Sequence, residues 1–127
     1  MTTSDKNTAV AGLRIFVAED EFPVLQLIED MLEELGCYVA DAATSVPTAL
    51  ELALSTDADI AILDLNLRGE SAFPVAQILR DRGIPILFST GYGAAGLAPT
   101  WQDCPVIQKP FPLHQLACAI ARTTAKE

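Results

Sequence analysis

Strands alternating with helices predict an α/β fold built on an open parallel sheet. Three observations carry that expectation. Short apolar runs of strand length recur at residues 13–17, 37–43, 59–63, 84–89 and 105–108. Between most of them lie amphipathic stretches of helical period. Four of the runs also close on polar groups: Glu19-Asp20-Glu21, Asp64, Thr90 and Lys109. Parallel strands joined by right-handed crossovers bring all of these to one sheet edge, where open α/β folds hold their ligands.

The first strand, 13–17, is short and rich in β-branched and aromatic residues. Val24, Leu27, Ile28, Met31, Leu32 and Leu35 follow at helical spacing, with Glu29, Asp30, Glu33 and Glu34 opposite. That helix opens near Pro23 and closes at Gly36. After the second strand, 37–43, Thr44 or Ser45 caps a helix running to about Ser55, with Pro47 tolerated in its first turn. The third strand, 59–63, leads through a loop at 66–70 to a helix from about Ser71 to Arg82, which Gly83 ends. The fourth and fifth strands are 84–89 and 105–108. Leu113, Leu116, Ala117 and Ile120 place a last helix on the sheet. One segment breaks the pattern. Residues 91–99 should hold a crossover helix, but three Gly and a Pro cost it about 1 kcal/mol per Gly and about 3 for the Pro relative to Ala. A short, frayed or missing helix is expected there.

A chain of 127 residues forms one domain and needs no disulfide or metal to stabilise its core. We read 1–11 as a flexible lead-in and 12–124 as the folded domain. The 50% hydrophobic content fits central strands covered on both faces. Eight Lys and Arg against seventeen Asp and Glu, a net charge of −9, exclude a basic nucleic-acid surface. No run approaches the roughly 20 apolar residues of a membrane span. The polar start of the chain carries no signal-peptide core, so a cytoplasmic location is expected. Cys37, Cys104 and Cys118 lack metal-ligand spacing, and the single His114 does not complete a zinc site with them. They are expected to be reduced packing residues, as are Trp101 and Phe111.

The strand-end residues resemble those of the response-regulator receiver domain, from Leu13 to about Thr124. Glu19 and Asp20 match the family's acidic pair after the first strand. Asp64 matches its phosphoacceptor, Thr90 its Ser or Thr after the fourth strand, and Lys109-Pro110 its Lys-Pro after the fifth. The resemblance implies a flavodoxin-like five-stranded sheet of order 2-1-3-4-5. It also implies an aspartyl phosphate formed on Asp64 from a phosphohistidine, and a Mg²⁺ ion held by Asp20, Asp64, the Asn66 carbonyl and Glu19. Thr90 would bond a phosphoryl oxygen, and Lys109 would pair first with Asp64 and then with the phosphate. The Lys109–Pro110 bond is expected to be cis.

Two family features are absent. Arg68 stands where a proline is usual, four residues after Asp64, and Val106 replaces the aromatic switch residue three before the lysine. Phe88-Ser89-Thr90-Gly91-Tyr92 resembles the Phe-x-Thr-Gly-Tyr signature of the FAT GUY subgroup, which lacks that aromatic and has an irregular fourth helix. The subgroup is similar to stand-alone receivers working with HWE or related histidine kinases. Tyr92 is either a loop aromatic or a substitute for the missing switch residue.

The chemistry of the residues agrees. Two carboxylates about 5 Å apart repel by roughly 3 kcal/mol at an effective dielectric of 20. A divalent cation relieves this, and Mg²⁺ takes few carboxylates while bridging to phosphate oxygens. Glu21 suits the start of a helix through its macrodipole. The expected function is a single-domain response regulator that catalyses only its own phosphorylation and dephosphorylation. It would take phosphate from a histidine kinase or phosphotransfer protein and signal to a downstream protein. The alternative is a phosphorylation-independent interaction module on the same fold. A phosphatase fits poorly, because Asn66 lacks the acid of an Asp-x-Asp motif. A flavin binder fits poorly too, because acids at the strand ends would repel its phosphate.

Overall fold

The computed structural model describes residues 10–91 and 97–125. Five strands form the main sheet: β1 (Arg14–Ala18), β2 (Tyr38–Ala43), β3 (Ile60–Asp64), β6 (Ile86–Thr90) and β7 (Val106–Gln108). Their order is β2-β1-β3-β6-β7 and every neighbouring pair is parallel. This is the expected 2-1-3-4-5 arrangement, with β6 and β7 as its fourth and fifth strands. Four α-helices among the described residues cover it: α1 (Phe22–Glu34), α2 (Val46–Ala53), α3 (Phe73–Asp81) and α4 (Leu113–Ala125).

Side-chain alternation in the strands builds two cores. Ile15, Val17, Ile60, Ile62 and Leu87 pack with Leu25, Ile28 and Leu32 of α1 and Leu116 and Ile120 of α4. Phe16, Ala61, Leu63 and Phe88 pack on the other face with Ala49 and Ala53 of α2 and Val75 and Leu79 of α3. β3 is apolar at four successive positions because both its faces are covered. Val10, within the span read as a lead-in, is fully buried, and its carbonyl accepts a bond from Cys37 Sγ at 3.2 Å. Burial pushes the Cys37 thiol up to about 11, as suits a packing residue. None of the three cysteines is in a disulfide.

Two local expectations change. The 66–70 loop contains a small antiparallel hairpin, β4 (Asn66–Leu67) and β5 (Glu70–Ser71). The following helix therefore starts at Phe73 rather than Ser71, because Ser71 belongs to the return strand and its Oγ accepts the Phe73 N–H at 3.1 Å. Ser45 occupies the cap position of α2, but its hydroxyl bonds Thr48 Oγ1 at 3.2 Å and no main-chain N–H.

Residues 92–96, with Tyr92 among them, lie outside the described residues. Beyond them the chain makes one 3₁₀ turn, Pro99–Trp101. That turn is tied down from α3. Arg80 donates to the Thr100 carbonyl at 2.8 Å and to Asp103 at 3.0 Å, and its guanidinium lies 4.1 Å from the Trp101 ring centroid. Trp101 stacks on Phe73 at 5.7 Å and meets Phe88 edge-on at 5.9 Å.

Candidate functional site

The parallel register places the polar strand ends side by side. Ala18 pairs with Leu63, so Glu19 follows β1 beside Asp64 at the end of β3. The Glu19 N–H donates to the Ala43 carbonyl at 3.0 Å, carrying the sheet pairing one residue further. Thr90 pairs with Gln108, and the Lys109 N–H donates to the Thr90 carbonyl at 2.8 Å. The Lys109–Pro110 bond is cis, as expected. Glu19, Asp20, Asp64, Thr90 and Lys109 thus meet at one sheet edge.

Lys109 Nζ lies 2.8 Å from Asp64 Oδ2 and 3.0 Å from Glu19 Oε1. Each acid has a second restraint. Asp64 Oδ1 accepts the Asn66 N–H at 3.1 Å, and Glu19 Oε2 accepts the Glu21 N–H at 3.1 Å. Asp20 Oδ2 accepts the Arg68 N–H at 2.8 Å. Glu21 precedes α1 and contributes its main-chain N–H to Glu19, with no capping bond from its side chain.

Burial is uneven across the cluster. The Glu19 side chain is wholly inaccessible, that of Asp64 is 8% exposed and that of Lys109 is 19%. Burial raises the Glu19 carboxyl above its ordinary value, against the hydrogen bonds from Lys109 and Glu21 that lower it. Burial alone would lower Lys109. Its bonds to Asp64 and Glu19, and their negative charges, outweigh that and hold the ammonium above its ordinary range. One shared ammonium cannot fully compensate two buried carboxylates.

Glu19, Asp20 and Asp64 each offer one oxygen, all within 4.8 Å of one another. Three carboxylates against one ammonium leave local negative charge, and hard oxygen donors this close suit a small divalent cation. The residues present fit Mg²⁺. Asn66 lines the same cleft. Its side-chain oxygen accepts the Gly69 N–H at 2.8 Å, which ties it to the hairpin. The cleft holds about 900 Å³. Asp20, Asp64, Thr90 and Lys109 line its polar part, with Leu27 and Met31 of α1 on its apolar wall. Among the described residues, a Cβ at Gly91 would meet nothing within 4 Å.

These values carry a sign. A raised acid stabilises the fold below its unfolded value and loses that contribution as pH climbs through its folded value. Metal-free protein should therefore lose the Glu19 contribution as pH rises above about 4.5. Mg²⁺ should restore stability, by an increment that grows over the same interval. Thermal unfolding with EDTA and with Mg²⁺ across this range checks it. An increment that stays flat or falls as pH rises would contradict it.

An aspartate ending the third main-sheet strand, an acidic pair after the first, a threonine ending the fourth and a lysine after the fifth define a recognisable class. The family model for the response regulator receiver domain matches residues 15–121. The chain belongs to this family, whose response regulators serve signal transduction in two-component systems. It is similar to SdrG from Sphingomonas melonis Fr1, at 35% identity over 95% of this chain and 97% of that one, with a TM-score of 0.77. A solution structure of the BeF3-activated conformation of SdrG is 38% identical over 87% of this chain, with a TM-score of 0.75. The response regulator PhyR from Brucella abortus is 26% identical over 97% of this chain and 52% of its own, with a TM-score of 0.81. The transcriptional regulatory protein PdtaR of Mycobacterium tuberculosis is 29% identical over 93% of this chain, which spans 59% of PdtaR. No helix among the described residues is long and apolar enough to cross a membrane.

Sequence reasoning missed Arg68 as a member of the site. It entered only as a missing proline. Its left-handed turn, which aims its N–H at Asp20, has no hydrophobic signature.

Proposed function

We propose that Asp64 is the phosphoacceptor of this receiver and takes a phosphoryl group from the phosphohistidine of a histidine kinase or phosphotransfer protein. The observation that supports this most is the 2.8 Å ion pair between a nearly buried Asp64 and Lys109 at the mouth of an open acidic cleft. Lys109 holds one Asp64 oxygen in place and leaves the carboxylate oriented toward the cleft. An Asp64 carboxylate oxygen attacks phosphorus as the bond from phosphorus to the histidine nitrogen breaks. Mg²⁺, held by Asp20, Asp64, Glu19 and the Asn66 carbonyl, would neutralise the phosphoryl oxygens in this step. The Lys109 ammonium then faces the new phosphoryl oxygens, and the Thr90 hydroxyl donates to one of them. The chain is a phosphoacceptor that acts catalytically only on itself.

We further assign it to the FAT GUY subgroup, acting as a single-domain receiver. Phe88-Ser89-Thr90-Gly91-Tyr92, Val106 in place of the aromatic, and, among the described residues, the 3₁₀ turn at Pro99–Trp101 support the subgroup. The match to nearly the full SdrG chain supports the single-domain reading. An HWE-type kinase is the donor we favour, and the signal leaves through the segment after β6 to a downstream protein.

Incubation with acetyl phosphate and Mg²⁺ should add one phosphoryl group per chain. A chain left unmodified where a control receiver labels would refute the proposal. Labelling by an HWE kinase faster than by other kinases would support the finer assignment. Partner binding that Asp64→Ala leaves unchanged would favour the phosphorylation-independent module.

A further inference from the structure

We propose that Arg68 is a positioning residue for the cation site, acting through its main-chain N–H on Asp20. This rests on the reading of the acidic cluster as a Mg²⁺ site. Leu67 pairs with Glu70, which leaves Arg68-Gly69 as a two-residue hairpin turn. Both turn residues have positive φ, +55° and +82°, as a type I′ turn demands. Asn, Asp or Gly is the usual first residue of such a turn. A residue with arginine's side chain seldom adopts this backbone.

Two bonds hold the unusual conformation. Arg68 Nε donates to the Thr44 carbonyl at 3.0 Å, just beyond β2, and the Gly69 N–H donates to Asn66 Oδ1 at 2.8 Å. The turn delivers the Arg68 N–H to Asp20 Oδ2 at 2.8 Å, across 48 residues of sequence. Asp20 is partly exposed, unlike Glu19, so it lacks the close packing that fixes its neighbour. The Arg68 N–H supplies the restraint instead. It ties one oxygen and leaves the remaining lone pairs of the carboxylate for the cluster. A carboxylate oriented before the cation arrives loses less freedom on binding it. A proline at 68 could do none of this, because it has no N–H and holds φ near −65°.

Two substitutions separate the amide from the side chain. Arg68→Pro removes the N–H and the turn. Arg68→Gly keeps the N–H and accepts positive φ, but loses the tether to Thr44. Calorimetric titration of the full chain with Mg²⁺ should show about tenfold weaker binding for Arg68→Pro, with Arg68→Gly recovering to within about threefold of the native chain. The residue-68 amide proton should resonate downfield in native protein and in Arg68→Gly, and Asp20→Ala should move it upfield. A merely structural turn would not respond to Asp20→Ala. A folded Arg68→Pro with native affinity, or an Arg68→Gly as weak as Arg68→Pro, would overturn the proposal. If Arg68→Pro fails to fold, the amide shift in Asp20→Ala decides, and no shift overturns it. A native chain that binds no Mg²⁺ would instead sink the reading of the cation site, while the amide shift would still report the contact.

Discussion

Asp64→Ala should abolish phosphoryl incorporation from acetyl phosphate, lowering the initial rate by about a thousandfold or more. The loss is large because the substitution removes the attacking atom itself. Thr90, Lys109 and the acidic pair can orient a phosphoryl donor, yet none of them supplies a replacement nucleophile at the same point. The variant should stay folded. It loses the bond from the Asn66 N–H, worth about 1 kcal/mol, but it also removes one of two carboxylates crowded on Lys109. Labelling rate and thermal unfolding, measured together, separate loss of chemistry from loss of fold. A variant that labels within tenfold of native protein would show that the acceptor lies elsewhere.

Lys109→Met should destabilise metal-free protein by about 3 kcal/mol near neutral pH. Methionine keeps most of the volume and removes the charge. The inaccessible Glu19 and the nearly buried Asp64 then face each other without their shared cation. Their repulsion at up to 4.8 Å is about 3 kcal/mol at an effective dielectric of 20. Protonation relieves it, so Glu19 moves further above its ordinary value. A carboxyl raised in the folded state loses stability as pH rises, so the gap to native protein should widen from about pH 5 to about pH 8. Mg²⁺ should narrow it. Urea unfolding at both ends of that range checks the prediction. Equal midpoints near pH 8 would mean that the ammonium does not balance the two acids.

The fold was largely legible because its strands are covered on both sides. Runs such as 59–63 have no polar face to confuse them, and the structure shifts that strand by one residue to Ile60–Asp64. Helix punctuation was equally plain: Pro23 lies in the first turn of α1, and Gly36 beyond its end has φ +82°. The polar strand ends were legible because parallel register follows from the crossovers. The hairpin at Asn66–Ser71 was not. Its strands are two residues each, too short for alternation, and Arg-Gly is not a turn pair that announces itself. The hydrogen bond from Arg68 to Asp20 therefore had no signal in the sequence. The packing of Phe73, Phe88 and Trp101 was hidden for a related reason. Three aromatics far apart in sequence meet only once α3 and the turn at Pro99–Trp101 are placed.

A phosphoryl group carried on Asp64 can be located by labelling the chain with acetyl phosphate and Mg²⁺, reducing the acyl phosphate with borohydride, and sequencing the peptides by mass spectrometry. Conversion of residue 64 to homoserine, and of no other residue, is the predicted result. Reduction at Glu19, Asp20 or another acid, or none where a control receiver is converted, would contradict it.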